Sequence, residues 1–276
     1  MANLDVSRSF GAVSIGFGSE VRGEEFAAHA GESASYFGGG VQSFPGLQPS
    51  NALRENRSSV GVYGDLEWDV TDKLLFGGAV RYEDFSDFGD NTSWKVSGRY
   101  ILGDNRGAVR ASYGTGFRAP SLHQIYLSNI QTLVSGGTIS NQGTFNNVDP
   151  IIREGLGVPQ LTAETSKNLS VGITYKVTPK ISVTADFYQV EVDNRVLFSG
   201  EIGFDGDDTT TNPVEEILIE NSITSLKFFI NAVDTKTTGI DVVAILNKVD
   251  LGNGRFGASL AANYNGSASY NCLGIA

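Results

Sequence analysis

The chain has 276 residues, 40% of them apolar, with 34 glycines against 7 prolines and a net charge of −11. That composition excludes intrinsic disorder and suits strands and turns better than helices, and the acidic balance argues against nucleic acid as a partner. A single cysteine, Cys272, and two distant histidines, His29 and His123, exclude a disulfide framework and a clustered metal site, so no cofactor is expected.

No run of about eighteen apolar residues occurs, so no helix is expected to cross a membrane; strands that cross one give a much weaker signal. The first residues, Met1 to Asp5, have neither the basic nor the apolar region of a secretory signal. The informative pattern begins at Ala12 to Phe26, where Val13, Ile15 and Phe17 share one side. From Arg57 to Asp72 it becomes clean. Val60, Val62, Leu66, Trp68 and Val70 alternate with Ser59, Tyr63, Asp65, Glu67 and Asp69.

The alternation recurs along the chain. Leu74, Phe76, Val80 and Tyr82 oppose Ala79, Arg81 and Glu83; Trp94, Val96 and Tyr100 oppose Lys95, Ser97 and Arg99; Val109, Ala111, Tyr113 and Phe117 oppose Arg110, Ser112 and Arg118. Later, Leu169, Val171, Ile173 and Tyr175 oppose Ser170, Thr174 and Lys176, and Val183 and Phe187 oppose Thr184 and Asp186. Thr238 to Leu246 is less clean, and Phe256 to Tyr264 closes the series.

These segments run about ten residues, the length that crosses a bilayer, and exceed the globular mode of about 5–6. Charges keep to one parity, as an aqueous interior requires, because a lipid-facing Arg or Lys at mid-bilayer costs about 2–4 kcal/mol. Val62, Leu66, Val80, Val96, Val171 and Val183 are therefore expected to face lipid, and Asp65, Arg81, Lys95, Arg99, Arg110 and Asp186 the interior. Connections 71–73, 103–107, 178–180 and 247–254 are short and alternate with longer ones at 27–56, 84–91, 118–166 and 193–228. Short periplasmic turns and long extracellular loops force that order in outer-membrane barrels, with aromatic girdles at both ends: Tyr82, Trp94, Phe117 and Tyr264 outward, and Trp68, Phe76, Tyr100, Tyr175 and Phe256 toward the periplasm. The fold class is all-β: an antiparallel transmembrane β-barrel, partial, with about nine strands. Such an incomplete sheet is expected to be open, with two unpaired edges, and to support no transport alone.

Three motifs carry a family resemblance. Gly114-Thr115-Gly116-Phe117-Arg118-Ala119-Pro120-Ser121-Leu122 sits where a strand runs into the longest loop. Leu161-Thr162-Ala163-Glu164-Thr165-Ser166 precedes Val171-Gly172, and Asn231-Ala232 precedes Thr238-Gly239-Ile240-Asp241. The chain resembles the C-terminal barrel of TonB-dependent receptors, which have a GFRAPSL stretch in that place. The family's usual proline is Ala163 here, and the glutamate it places before the glycine is missing. The segment Gly31–Ser50, with Tyr36-Phe37 and Phe44-Pro45-Gly46, is also similar to a loop of these receptors.

The resemblance implies that residues 1–276 are part of a larger barrel of roughly 22 strands, without the plug domain, TonB box, signal peptide and final strand. It implies an outer-membrane, ligand-gated transporter component, not an enzyme, that helps import siderophore-iron, cobalamin or a glycan with TonB-derived energy. The implied partners are outer-membrane lipid, the TonB complex acting through a plug, and the small-molecule or glycan ligand. A passive porin, an outer-membrane barrel enzyme and a soluble glycan-binding β protein stay open as alternatives. Arg118, His123 and Gln124 are the candidate ligand contacts at the rim and in the 118–166 loop, since binding residues concentrate on loops. A structural ion pair or plug contact is the competing role of Arg118. Gly252-Asn253-Gly254-Arg255-Phe256-Gly257 matches a dinucleotide fingerprint but precedes a strand, not a helix, and is a turn. Asp205-Gly206-Asp207-Asp208 lacks EF-hand spacing and is expected to be a solvated acidic loop.

Overall fold

Side chains of period two assemble here into one long antiparallel sheet. The computed structural model describes residues 1–36, 46–103, 105–135, 138–204, 213–250 and 252–271. Phe37 and Phe44-Pro45 of the receptor-like loop, the Asp205–Asp208 cluster and Cys272 lie outside the described residues.

The strands, in chain order, are β1 (Ala2–Phe10), β2 (Val13–Ala28), β3 (Leu53–Thr71), β4 (Leu74–Phe85), β5 (Gly89–Ile101), β6 (Gly107–Arg118), β7 (Asn129–Ser135) and β8 (Thr138–Thr144). They continue with β9 (Glu164–Thr178), β10 (Ile181–Phe198), β11 (Ile202–Gly203), β12 (Ser225–Lys227), β13 (Phe229–Asp250) and β14 (Arg255–Tyr270). Helices α1 (Ser33–Tyr36), α2 (Leu122–Tyr126) and α3 (Pro213–Glu220) lie in the loops. The main sheet has ten strands in the order β1-β2-β3-β4-β5-β6-β9-β10-β13-β14. Its first and last strands are not paired with each other, so the sheet is open, as expected for a partial barrel.

The register separates the two side-chain sets without a mismatch. Val62 lies opposite Tyr82, Gly78 opposite Val96, Val96 opposite Tyr113, Ala111 opposite Val171, and Tyr175 opposite Val183. On the other face Tyr63 lies opposite Arg81, Ala79 opposite Asp65 and Lys95, Arg99 opposite Arg110, and Gly172 opposite Asp186. The apolar face is open: Val80 is 51% exposed and Val171 43%. A continuous apolar surface of this extent belongs against lipid, not water. Charges share that parity only near strand ends. Arg8, beside the β1–β2 turn, lies over the Phe10 ring at 5.0 Å. At the opposite end Lys167, Glu191 and Lys236 line up across β9, β10 and β13, with Lys236 Nζ 2.8 Å from Glu191.

The main sheet has ten strands where about nine were expected, and three expectations about the connections need correction. The missing strand is β1, which pairs with β2 through Gly11-Ala12, and Gly11 adopts the φ of 60° that a two-residue hairpin turn demands. The count is therefore even, and both edge strands have their outer termini on the long-loop side. The connection expected over 84–91 is only Ser86-Asp87-Phe88, because β4 and β5 keep pairing to Phe85 and Gly89, beyond the apolar band. It is shorter than the 102–106 turn, so the alternation of short and long connections fails there. Finally, the regions 118–166 and 193–228 are not plain loops.

Those two regions fold together. β7, β8, β12 and β11 form a four-stranded sheet in which β12 pairs in parallel with β8, joining one loop to the other. Phe145, Ile152, Val158, Leu218, Ile223, Leu226, Phe228 and Ile230 pack into a core, with Phe228, Ile152, Leu218 and Leu226 fully enclosed. A second small cluster of Ile125, Leu161 and Val196 joins α2 to the tops of β9 and β10.

Candidate ligand-binding site at the barrel mouth

At the long-loop end, the last residues of β2, β4 and β6 and the first residues of β3, at Arg57, meet α2 around a cavity of about 770 Å³. Its position is set by how the chain leaves β6. Arg118 ends the strand and points to the charged face. Its Nε donates to Glu164 Oε2 at 3.0 Å. Glu164 is buried, and its other oxygen accepts the Val196 N–H at 2.8 Å. One carboxylate thus ties together β6, β9 and β10. Asn231 acts in parallel: its side chain exchanges hydrogen bonds with Thr162 N and O, at 2.9 and 3.1 Å, and also donates to Asn194 O. These are the motif residues Arg118, Glu164 and Asn231, and each clamps the base of a loop.

Beyond Arg118 the chain turns through Ala119-Pro120-Ser121. Arg57 holds this corner. Its side chain is 3% exposed, pairs with Asp87 at 2.7 Å, donates to Pro120 O at 2.8 Å and lies over the Phe88 ring at 5.2 Å. A buried guanidinium without partners would be very costly, and here the carboxylate, carbonyl and ring satisfy it. Ser121 then starts α2 with a capping box: its Oγ accepts from Gln124 N at 3.2 Å, and Gln124 Oε1 accepts from Ser121 N at 2.9 Å. Leu122 and Ile125 form the buried face of the helix, which leaves His123 and Gln124 toward the cavity. Burial pushes the Tyr126 phenol up, with Glu55 and Asp87 adding to the shift. Asn147, fully enclosed, fixes the far side of the loop: it accepts from Leu161 N at 2.8 Å and donates to Pro159 O and Phe229 O.

The three candidates read from the sequence, Arg118, His123 and Gln124, all line this one cavity. Their surroundings differ. His123 stands between Phe26 and Phe229, with ring centroids 5.8 and 6.0 Å away and edge-on geometry. Gln124 has its carbonyl oxygen committed to the helix cap. Arg118 is 61% exposed but paired with Glu164. Phe117, expected in the outer girdle, instead packs edge-on to Phe85 at 5.8 Å and lines the cavity. Sequence reading missed Arg57, Phe26, Phe85 and Phe229, which come from other strands and carry no local signature. Arg22, Arg57 and Arg118 are matched in the lining by Glu24, Glu25 and Glu83, so the mouth is charge-balanced. Among the described residues no group of three His, Cys, Asp or Glu could hold a metal ion.

An antiparallel sheet whose apolar face is exposed and whose charged face is enclosed by loops at one end is the wall of a membrane-spanning β-barrel. The family model described as "TonB dependent receptor-like, beta-barrel" matches residues 2–272. The chain belongs to the TonB-dependent receptor family, whose members are outer-membrane transporters and receptors rather than enzymes.

Solved structures give the same fold. The siderophore receptor PirA from Pseudomonas aeruginosa superposes with a TM-score of 0.60 at 15% identity, over 96% of this chain and 44% of that one. The FrpB iron transporter from Neisseria meningitidis gives 0.59 at 12% identity, over 99% and 36%. Among curated proteins, the vitamin B12 transporter BtuB of Vibrio vulnificus (strain CMCP6) is 33% identical over 73 residues, 26% of this chain and 12% of that protein. The chain therefore spans less than half the length of these relatives.

Proposed function

We propose that this chain forms part of the wall and mouth of an outer-membrane receptor that captures a scarce ligand, ferric siderophore, cobalamin or glycan, for import with TonB-derived energy. In this reading the apolar face lies against outer-membrane lipid, the loop module is extracellular, and a plug domain outside residues 1–276 links the barrel to TonB. The carrying observation is the convergence of Arg118, His123 and Gln124, with Phe26 and Phe229, on one cavity at the loop end. Its volume lies in the range of small-molecule sites. Aromatic rings with a few fixed polar groups suit a ligand that presents both flat apolar surface and hydrogen-bonding groups. The balanced charge points away from recognition by net charge alone.

The test is binding of radiolabelled ferric siderophores, cobalamin and oligosaccharides to the receptor carrying this chain, in outer-membrane vesicles. One class is expected to bind saturably, and His123→Ala is expected to weaken it by about tenfold. No binding above vesicles lacking the receptor, or a ligand indifferent to both His123→Ala and Arg118→Gln, would remove the mouth from consideration.

A further inference from the structure

The chain carries the dipeptide Asn-Gly twice, at Asn253-Gly254 and at Asn265-Gly266, and the fold treats the two differently. The first belongs to the glycine-rich stretch that matches a dinucleotide fingerprint, and it lies in the turn between β13 and β14. The ladder between those strands ends where Asp250 faces Arg255, so Asn253 and Gly254 stand outside it. Asn253 is exposed, and a side chain added at Gly254 would meet nothing within 4 Å. Gly252, just before them, has a φ of 80°, in the region that glycine enters freely.

Asn265 is exposed as well, so exposure does not separate the two sites. Their backbones do. In β14, Asn265 faces Gly239 and Gly266 faces Thr238 in the ladder with β13, and the Asn265 amide donates to Asn263 Oδ1 at 2.8 Å. The difference is chemical, because the backbone nitrogen after an asparagine is a nucleophile within reach of the side-chain amide carbon. A five-membered ring closes only if that nitrogen swings round to the carbon. Extended strand backbone points it away, whereas an open turn lets it rotate. A glycine in the following position leaves the nitrogen unshielded by any side chain.

We propose that Asn253 is a site of spontaneous covalent modification and that Asn265 is not. The Gly254 nitrogen gives its proton to solvent base and bonds to Asn253 Cγ. The Cγ–Nδ2 bond breaks, and Nδ2 takes up a proton from water and leaves as ammonia. Water then opens the cyclic imide at either carbonyl, which gives aspartate or isoaspartate at position 253. Either product adds a negative charge two residues before Arg255, whose Nε pairs with Asp250 at 3.1 Å with both side chains exposed. Isoaspartate also inserts a methylene into the backbone of the turn that leads into β14. The site is at the short-turn end and stands independently of how the mouth functions.

The test follows both sites in one sample. The receptor carrying this chain, purified in detergent, is held in mildly alkaline buffer and digested at intervals. Mass spectrometry then separates amide from acid, and fragmentation separates aspartate from isoaspartate. Asn253 is expected to convert steadily, with isoaspartate in excess, while Asn265 stays an amide. Gly254→Ala is expected to slow the conversion by about tenfold, because its methyl group shields the nitrogen and restricts the turn. Asn253→Gln is expected to stop it. In urea, where the ladder is gone, both sites are expected to convert at similar rates. No conversion at Asn253 in the folded receptor, or equal conversion at Asn253 and Asn265 there, would overturn the proposal. So would an Asn265 that stays an amide in urea, since its protection would then owe nothing to the strand.

Discussion

On the barrel wall the large apolar side chains face outward, with Val80 51% exposed, whereas in the loop module Phe228, Leu218 and Leu226 are completely enclosed. The wall carries its charges on the opposite face, and its stability rests on interstrand hydrogen bonds in a hydrocarbon solvent. The loop module, formed by the two folded loop regions, is instead built around a buried core of its own. The contrast teaches that one chain meets two solvents, and that a substitution must be judged by which solvent its side chain faces. The two regions are joined by a few satisfied polar clamps, chiefly Glu164, Asn231 and Asn147, where the strands leave the apolar band.

The comparison breaks most clearly on truncation. Phe228→Ala should cost the loop module about 3–5 kcal/mol, because a fully packed ring leaves a cavity. Val96→Ala on the wall should cost under about 1 kcal/mol, because lipid fills the space and is as apolar as the lost side chain. Limited proteolysis should then cut Phe228→Ala within 119–163 while the ten-strand sheet keeps its circular dichroism. Equal sensitivity of the two variants would mean that the loop module has no independent core.

Adding charge reverses the ranking. Val96→Arg places a cation in hydrocarbon, at about 2–4 kcal/mol, whereas Ser97→Arg places it on the wetted face beside Lys95 and Arg99. Insertion into outer-membrane vesicles should fall for Val96→Arg and stay near normal for Ser97→Arg. A matching loss for both would contradict the assignment of faces.

A smaller effect tests how the inner wall is wired. Gly172 lets Arg110 reach Asp186, and a methyl group there would stand 3.0 Å from Arg110 Nε and closer still to the Asp186 carboxylate. Gly172→Ala should break the pair. Because Arg110 is 53% exposed, solvent screening holds the loss to about 1 kcal/mol or less. Adding Asp186→Asn to Gly172→Ala should cost little more, and full additivity of the two would show that the glycine serves something else.

How much of this was legible follows from the same physics. The wall strands announce themselves because lipid and interior select opposite residues at period two, so Val62 and Asp65 can be assigned to faces without coordinates. β1 escaped because Arg8 falls on the apolar parity of Leu4, Val6 and Phe10, and only its place beside the turn, over Phe10, makes that tolerable. The loop module escaped because its pairing is non-local: Gln142 meets Ser225 in a parallel bridge that no hairpin signal marks. At the mouth, Arg118, His123 and Gln124 were found because they follow one contiguous motif. Arg57 and the rings of Phe26 and Phe229 come from three other strands, and their meeting point exists only once the loops have folded.

The finest distinction between the regions is in how a carboxylate at the loop module's edge titrates. Glu201 accepts a hydrogen bond from Ser225 Oγ at 2.7 Å, and this bond, ahead of contributions from Gln142 and Lys227, holds its carboxyl below the ordinary glutamate value despite the opposing effect of burial. A depressed carboxylate stabilises the fold when ionised. Its contribution is complete above the unfolded-state pKa, declines as the pH falls past that value, and is gone once the pH is below the folded one. The loop module should therefore lose a little stability on acidification through that window, while the membrane-facing residues of the wall, such as Val80 and Val171, have no group that titrates. An NMR titration with carbon-labelled glutamate should show Glu201 with a depressed midpoint that returns to the ordinary value in Ser225→Ala. If the depression survives that substitution, Gln142 and Lys227 rather than the hydroxyl set it, and Gln142→Ala or Lys227→Gln should then be the variant that removes it.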